Sequence, residues 1–293
     1  MQTDVSIVIP SYNSEKTISA CLSSVFSQKA NLKYEVIVAD SSTDNTPEII
    51  KNDFPGVILI HSNKRMYRGK ARNVGIKRAK GDIIVCLDSD CAVGDENWLN
   101  KTYAAQKEHD VVGVRVCNGN PGRLFGWSIF LFEFCEWITK KDKIMKLLLS
   151  YNVAYNREIF EKYGLFPDHD AINEDLIFHS RIKEKFYFSG KISVKHINRT
   201  GFFEIVRHCF RLGRGAALAR KEYQSIPGSF LVKYPILIPL LPFIRTLLAG
   251  YRSFQANYFL IFLIVSPLIF INSISYSIGF LISALKKIKV RQN

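Results

Sequence analysis

Val5-Ser6-Ile7-Val8-Ile9-Pro10-Ser11-Tyr12-Asn13 is the stretch on which the fold turns. Val5–Ile9 is a short, mostly β-branched run stopped by Pro10, the pattern of a strand buried on both faces. Ser14 is a plausible N-cap, and Ile18, Leu22, Val25 and Phe26 follow at helical spacing. The same unit then recurs. Tyr34–Ala39 reads as a strand, Thr46-Pro47-Glu48 as a helix start with proline in the first turn, and Val57–His61 as a third strand. Gly69–Lys80 reads as a helix and Asp82–Leu87 as a fourth strand, ending in Asp88-Ser89-Asp90. Near-continuous apolar strands alternating with helices predict an α/β fold, a mostly parallel sheet with helices on both faces. Ligands of such sheets bind outside the carboxyl ends of the strands. The segments to watch are therefore Pro10–Asn13, Asp40–Ser42, Ser62-Asn63 and Asp88–Asp90.

Beyond residue 110 the alternation loosens. Val111–Val116 reads as a strand, aromatic-rich Leu124–Ile138 as a helix, and Glu158–Tyr163 and Glu174–Glu184 as helices. Phe186–Phe188 and Ile192–Lys195 read as a hairpin around Gly190, and Phe202–Tyr223 as a basic helix.

The chain has 293 residues, 47% of them hydrophobic, which excludes a mainly disordered chain and also a polytopic membrane protein. Six cysteines without C-x-x-C spacing argue against a metal knuckle or disulfide framework. Met1–Asp4 has neither a basic n-region nor a cleavage site, and does not read as a secretory signal. Asn257–Leu285 carries no charge over 29 residues, where a bilayer span needs roughly 20. Pro267 and Asn272 are candidate breaks that would turn it into a re-entrant pair. Ile226–Ile244 has one charge, Lys233, and four prolines, which suit a broken or interfacial segment. Lys286, Lys287, Lys289 and Arg291 favour the cytoplasmic side. Residues 201–293 hold twelve basic and two acidic side chains, most of the chain's net charge of +14. Beside apolar runs, that excess suits an anionic membrane surface and phosphorylated substrates better than nucleic acid. The expected division is 1–223 (halves meeting near 120) and a membrane-associated 224–293.

Several residues point to chemistry. Pleat alternation would put Asp88 and Asp90 on one side. Paired carboxylates at a cleft edge suit Mg2+ or Mn2+ bridging a diphosphate, and equally an acidic turn. Asp40 is placed to accept from a base or ribose, or to build a turn. Glu174-Asp175 opens a helix, as caps or as a general base. Arg207, Arg211 and Arg214 share one helix face, fit for diphosphate, lipid headgroups or solvent. His196 is structural or a metal ligand.

Taken in order, Val5–Asn13, Val38–Asp44, Ala71-Arg72-Asn73-x-Gly75, Asp88-Ser89-Asp90 and Glu174-Asp175 closely resemble the inverting family-2 glycosyltransferases with the A-type nucleotide-diphospho-sugar fold. Gly164-Leu165-Phe166 and Phe210–Gly215 fit the same pattern, so the resemblance covers residues 4–220. It implies that Asp40 contacts the base, uracil by expectation, that Pro10 and Tyr12 line the base pocket, and that Arg72, Arg211 and Arg214 serve the nucleotide-sugar. Asp88 would meet ribose or metal, Asp90 would ligate the metal with His196, and Asp175 would be the catalytic base beside Glu174. Arg207–Leu212 lacks the Gln and Trp of the Q-x-x-R-W motif in processive members, which points away from a polymerase. The expected acceptor is a glycan or lipid-linked hydroxyl. The alternatives are a polyprenyl-phosphate glycosyltransferase and a non-catalytic membrane-anchored scaffold.

Overall fold

The computed structural model describes residues 3–168 and 173–286. Lys287, Lys289 and Arg291 of the basic tail lie outside the described residues. The chain forms two compact units, 1–121 with 136–198, and 122–135 with 199–293.

The first unit opens with β1 (Val5–Ser11), α1 (Ile18–Phe26), β2 (Tyr34–Asp40), α2 (Thr46–Asp53), β3 (Val57–His61), α3 (Arg68–Arg78) and β4 (Ile83–Leu87). These are the elements the apolar periodicity predicts, with ends moved by a residue or two. Next come β5 (Cys91–Val93), α4 (Trp98–Gln106) and β6 (Val111–Asn118). The chain then passes through α5 (Leu124–Phe134) of the second unit. It returns for β7 (Lys143–Met145), β8 (Asn152–Asn156), α6 (Arg157–Tyr163), α7 (Glu174–His179) and β9 (Phe186–His196).

The strands make one mixed sheet in the order β3-β2-β1-β4-β8-β6-β9-β5, with β7 beside β9. β1 pairs parallel with β2 and β4, β2 with β3, and β6 with β9; β5, β7 and β8 run the other way. The sheet is thus mostly parallel, as its apolar strands require. Val5–Ile9 and Ile83–Leu87 are buried along their whole length.

Four local expectations are corrected. Residues 186–196 are one strand, not a hairpin. Opposite β6 the register slips between Val114 and Arg115, and the extra residues bulge out. Gly190 is there because a Cβ would overlap the Lys140 carbonyl, not because the chain turns back. α7 stops at His179, well short of Glu184. Ser14 does not cap α1; its hydroxyl meets Ser89 Oγ at 2.8 Å instead. Asp88-Ser89-Asp90 is a turn closed by Cys91 N donating to Asp88 O (3.0 Å), so pleat alternation does not aim its carboxylates.

The second unit contains α5, α8 (Phe202–Glu222), α9 (Phe230–Lys233), a 3-10 turn at Pro235–Leu240, α10 (Leu241–Gln255) and α11 (Phe259–Leu285). The proline-rich run breaks after Lys233, then continues helically over Pro235–Gln255 for 21 residues. That stretch and the 27 residues of α11 are long and apolar enough to cross a membrane. Pro267 and Asn272 do not break α11. Proline removes the N–H that would bond the Leu263 carbonyl, and Ser266 Oγ donates to that carbonyl at 3.1 Å instead. Asn272 is buried and donates to Ser128 Oγ of α5 (3.3 Å).

α7 is anchored to the sheet by a neutral histidine. His179 donates from Nδ1 to Leu148 O (3.0 Å) and receives Tyr155 Oη–H at Nε2 (2.7 Å). Burial, the main cause, lowers its pKa from 6.5 to about 3. As pH falls the unfolded chain therefore takes up this proton first. The stabilisation is complete above pH 6.5 and is lost progressively toward pH 3, at about 1.4 kcal/mol per unit of pKa difference. His179→Gln should flatten this acid-side slope when urea midpoints are compared at pH 7 and pH 5; an unchanged slope would show that His179 carries none of it.

Candidate active site

The parallel ladder brings the carboxyl ends of β1, β2 and β4 together, and the loops after them make one edge. Ser11 is in register with Asp40, and Asp40 with His61. Asp40 is fully buried. It accepts from Ser42 N (3.0 Å), Ser42 Oγ (2.5 Å) and His61 Nδ1 (2.8 Å). Its carboxylate thus shapes the 41–43 loop from beneath. That loop is laced to the one after β1: Asn13 N donates to Ser42 Oγ (2.7 Å) and Thr43 N to Asn13 Oδ1 (2.9 Å). Pro10 is buried in β1, whereas Tyr12 is exposed, with the Arg65 guanidinium 4.4 Å from its ring centre. Arg65 also lies 5.2 Å from the Tyr67 ring.

Arg72, on α3, is buried to 1% exposure. It donates to Asp88 Oδ1 (2.6 Å), to Ser150 O (3.2 Å) and to Glu174 Oε1. Burial pulls its pKa down, but Asp88 and Glu174 push harder, so the net shift is upward. Burial raises the pKa of Asp88, against the opposing pull of Arg72 and Arg68. Arg68, exposed in the first turn of α3, also feels Asp88, Glu174 and Asp90. Their attraction outweighs desolvation and raises its pKa.

Glu174 and Asp175 are adjacent but unlike. Glu174 is buried and committed to Arg72. Asp175 is half-buried, its Oδ2 accepting from Ser150 N (3.2 Å) and its Oδ1 from Leu176 N (2.8 Å). Asn173 precedes them in the left-handed conformation, φ 78°, which asparagine tolerates.

Two residues past Asp88, Asp90 faces another strand. His196, at the end of β9, holds Nε2 3.4 Å from Asp90 Oδ1. Its other nitrogen, Nδ1, lies 3.0 Å from Asn198 Oδ1. Donation from Nδ1 makes Nε2 the unprotonated nitrogen, the tautomer a metal ligand needs. Asp90, Cys91 and His196 form a group whose ligand atoms lie within 4.8 Å of one another. Carboxylate and imidazole suit a divalent cation. Burial and the carboxylates of Asp90 and Asp88 push the Cys91 thiol well up, so it stays protonated and contributes little to a hard ion.

The structure therefore brings together Arg72, Asp88, Glu174 and Asp175, and separately Asp90 with His196. Asp88 lies with Arg72 rather than in the Asp90 group. Arg211 and Arg214 belong to the second unit, exposed on α8. Sequence reading missed Arg68, Ser150, Asn198 and Asn152. Asn198 had a signal, a polar partner two residues from His196. Asn152 had none: strand pairing puts it opposite Leu87, where it is buried with neither side-chain polar atom bonded.

The model of glycosyl transferase family 2 matches residues 6–164. Glycosyltransferase AglE of Haloferax volcanii is 28% identical over 72% of this chain and 72% of its own length. The poly(ribitol-phosphate) beta-glucosyltransferase of Bacillus spizizenii is 37% identical over 59% of this chain. The match spans only 28% of that protein. Among solved structures, the Pyrobaculum calidifontis mannosyltransferase in complex with GDP-Man and Mn2+ matches with TM-score 0.61. It is 19% identical over 97% of this chain and 86% of that one. Staphylococcus aureus TarS 1-349 in complex with UDP-GlcNAc matches with TM-score 0.55 at 19% identity, over 96% and 90%. At those identities the structural likeness shows the shared fold.

Arg72→Met should leave the buried carboxylate of Glu174 and the half-buried one of Asp88 unanswered and cost about 3–5 kcal/mol in chemical denaturation. Adding Glu174→Gln should recover part of the loss. Equal stability of Arg72→Met and the wild-type chain would show that the ion pairs constrain nothing.

Proposed function

The chain belongs to glycosyltransferase family 2, and on that premise we propose that it transfers a sugar, with inversion, from a nucleotide-diphospho-sugar to a hydroxyl of a glycan or lipid-linked acceptor. We place the reaction in cell-surface polysaccharide or glycoconjugate synthesis, as the relatives' names suggest, and take the donor to be UDP-linked. The observation that carries the reading is Asp175: a half-exposed carboxylate fixed by two backbone N–H groups, beside a buried Glu174 that Arg72 keeps occupied.

Asp175 accepts the proton of the acceptor hydroxyl as that oxygen attacks the anomeric carbon. The bond from that carbon to the diphosphate breaks, and its electron pair leaves with the nucleoside diphosphate. No protein nucleophile takes part, so an α-linked donor gives a β-linked product. Glu174 is a positioning residue: it holds the start of α7 against Arg72. Asp90 and His196 would hold a divalent cation, Mg2+ or Mn2+, which supplies positive charge to the diphosphate. Asp88, steadied by Arg72, offers its remaining oxygen to the ribose. Tyr12 and Pro10 line the base pocket, and Asp40 shapes its floor through Ser42. The exposed cation of Arg68 adds charge for the leaving group.

The two apolar helices of the second unit favour a membrane-associated enzyme, with the catalytic unit on the cytoplasmic side. They also favour a lipid-linked acceptor, which keeps a polyprenyl-phosphate glycosyltransferase as the second reading. Nucleic acid has no place in either.

Asp175→Asn should bind the donor as the wild-type chain does, while transfer falls about 10²–10⁴-fold by product mass spectrometry. A fully active Asp175→Asn chain would falsify the base assignment. Asn198→Ala should raise the cation concentration for half-maximal donor turnover about 10-fold or more by freeing the His196 ring. Turnover indifferent to chelation would remove the cation from the scheme.

A further inference from the structure

α11 has two unlike faces. Phe262, Val265, Ile269, Asn272, Gly279 and Phe280 are buried, while Leu260, Leu263, Ile264, Ile271, Ile274 and Ile278 stand exposed along the other side. α10 repeats the pattern, exposing Phe243, Ile244, Leu247, Tyr251 and Phe254 on one face. The two pack together, with Phe243 against Phe270 at 5.1 Å and Phe254 against Phe259 at 5.7 Å.

The buried face of α11 is occupied in part by a charged helix. Gly213 of α8 sits against the Tyr276 carbonyl, and Gly279 of α11 against the Phe210 carbonyl; a Cβ at either would overlap that backbone. Ser275 Oγ donates to Val206 O at 2.7 Å. α8 turns Arg207, Arg211 and Arg214 outward, and among the described residues none of the three has an ion pair. Arg207 and Arg211 open onto a cavity of about 540 Å3 that Ser275 and Glu204 also line, Glu204 being paired with Arg199 at 3.3 Å.

These contacts weigh against a bilayer crossing by α11. At 1.5 Å per residue, Ser275 lies roughly 24 Å from Phe259 and roughly 15 Å from Leu285. With a hydrocarbon core about 30 Å thick centred on the helix, a crossing would hold the Arg207 turn about 10 Å deep in lipid and the Arg211 turn, beside Gly279, about 4 Å deep, neither with an ion-pair partner among the described residues. Laid parallel to the surface, the same unit is satisfied. The α10 and α11 stripes enter the acyl boundary, and the arginines on α8 meet headgroup phosphates.

We propose that the second unit lies in one leaflet of an anionic membrane without crossing it, with phosphate-bearing lipid headgroups bound at Arg207 and Arg211. This deepens the membrane association proposed above and rests on it. Twelve basic residues against two acidic ones in 201–293 match that partner.

The test uses the whole chain and vesicles of phosphatidylcholine, with and without phosphatidylglycerol. Binding should be stronger to the anionic vesicles. Arg207→Ala with Arg211→Ala should weaken that binding about fivefold per arginine, and leave binding to neutral vesicles unchanged. Equal loss on both vesicle types, or no loss, would overturn the headgroup site. A bimane label at Ile264→Cys, Ile271→Cys or Ile278→Cys, with Cys117→Ser, should be quenched by lipids carrying the quencher near the headgroup, equally at all three positions. Depths that pass through the bilayer centre would overturn the in-plane geometry. A chain that ignores vesicles, or pairs with a second copy through this face, would overturn both the geometry and the membrane reading. Donor hydrolysis by the same preparation reports separately on the catalytic reading.

Discussion

A guanidinium with 1% of its surface exposed must have its charge answered from within, and Arg72 is answered by Asp88 at the end of β4 and Glu174 at the start of α7. Three segments far apart in sequence meet at that one side chain. Desolvation offsets much of the attraction, so the pairs add little net stability, yet removing one partner strands a buried charge. Position is what they fix. Asp175 follows Glu174 directly and Asp90 lies two residues past Asp88, so both groups that chemistry would use are hung from this cation. The backbone joins in: Ser150 lends its carbonyl to Arg72 and its N–H to Asp175.

The same constraint separates two neighbouring acids by environment alone. Glu174 is buried and spent on Arg72, while Asp175 keeps one edge toward solvent. A proton acceptor for an incoming hydroxyl needs access as well as charge. The pair therefore divides into one residue that holds and one that can react.

Much of the first unit was legible because its signals are local. Apolar runs such as Val5–Ile9 and Ile83–Leu87 mark strands without reference to anything distant, and strand ends mark the functional edge. What was not legible depends on pairing. Nothing near Asn152 announces that it faces Leu87. Gly190 resembles a turn until Lys140 is seen packed on it, and Asp88-Ser89-Asp90 obeys a turn rather than the pleat. Arg72 was recognisable as part of a pattern, but its ion pairs depend on an α7 that begins 102 residues later. The second unit shows the same limit. The uncharged run of α11 is plain in the sequence, but its division into an exposed face and one carrying Asn272, Ser275 and Gly279 is set by α5 and α8.

Charge is distributed between the units in a way that the total of +14 conceals. The site of the first unit gathers carboxylates, Asp88, Asp90, Glu174 and Asp175, against two arginines of α3. A diphosphate would meet net repulsion there unless further positive charge came with it. That is why the orientation of His196 by Asn198 matters: it turns the other ring nitrogen toward Asp90, where a cation would reverse the local sign. The second unit has the opposite character, with unpaired arginines next to apolar stripes. Its exposed arginines would meet phosphate directly, without an ion. Two surfaces of opposite charge in one chain fit the proposed enzyme, whose donor would be soluble and whose acceptor would be held at a membrane. On the proposed reading the excess positive charge serves anchoring, and the acids of the first unit serve the transfer.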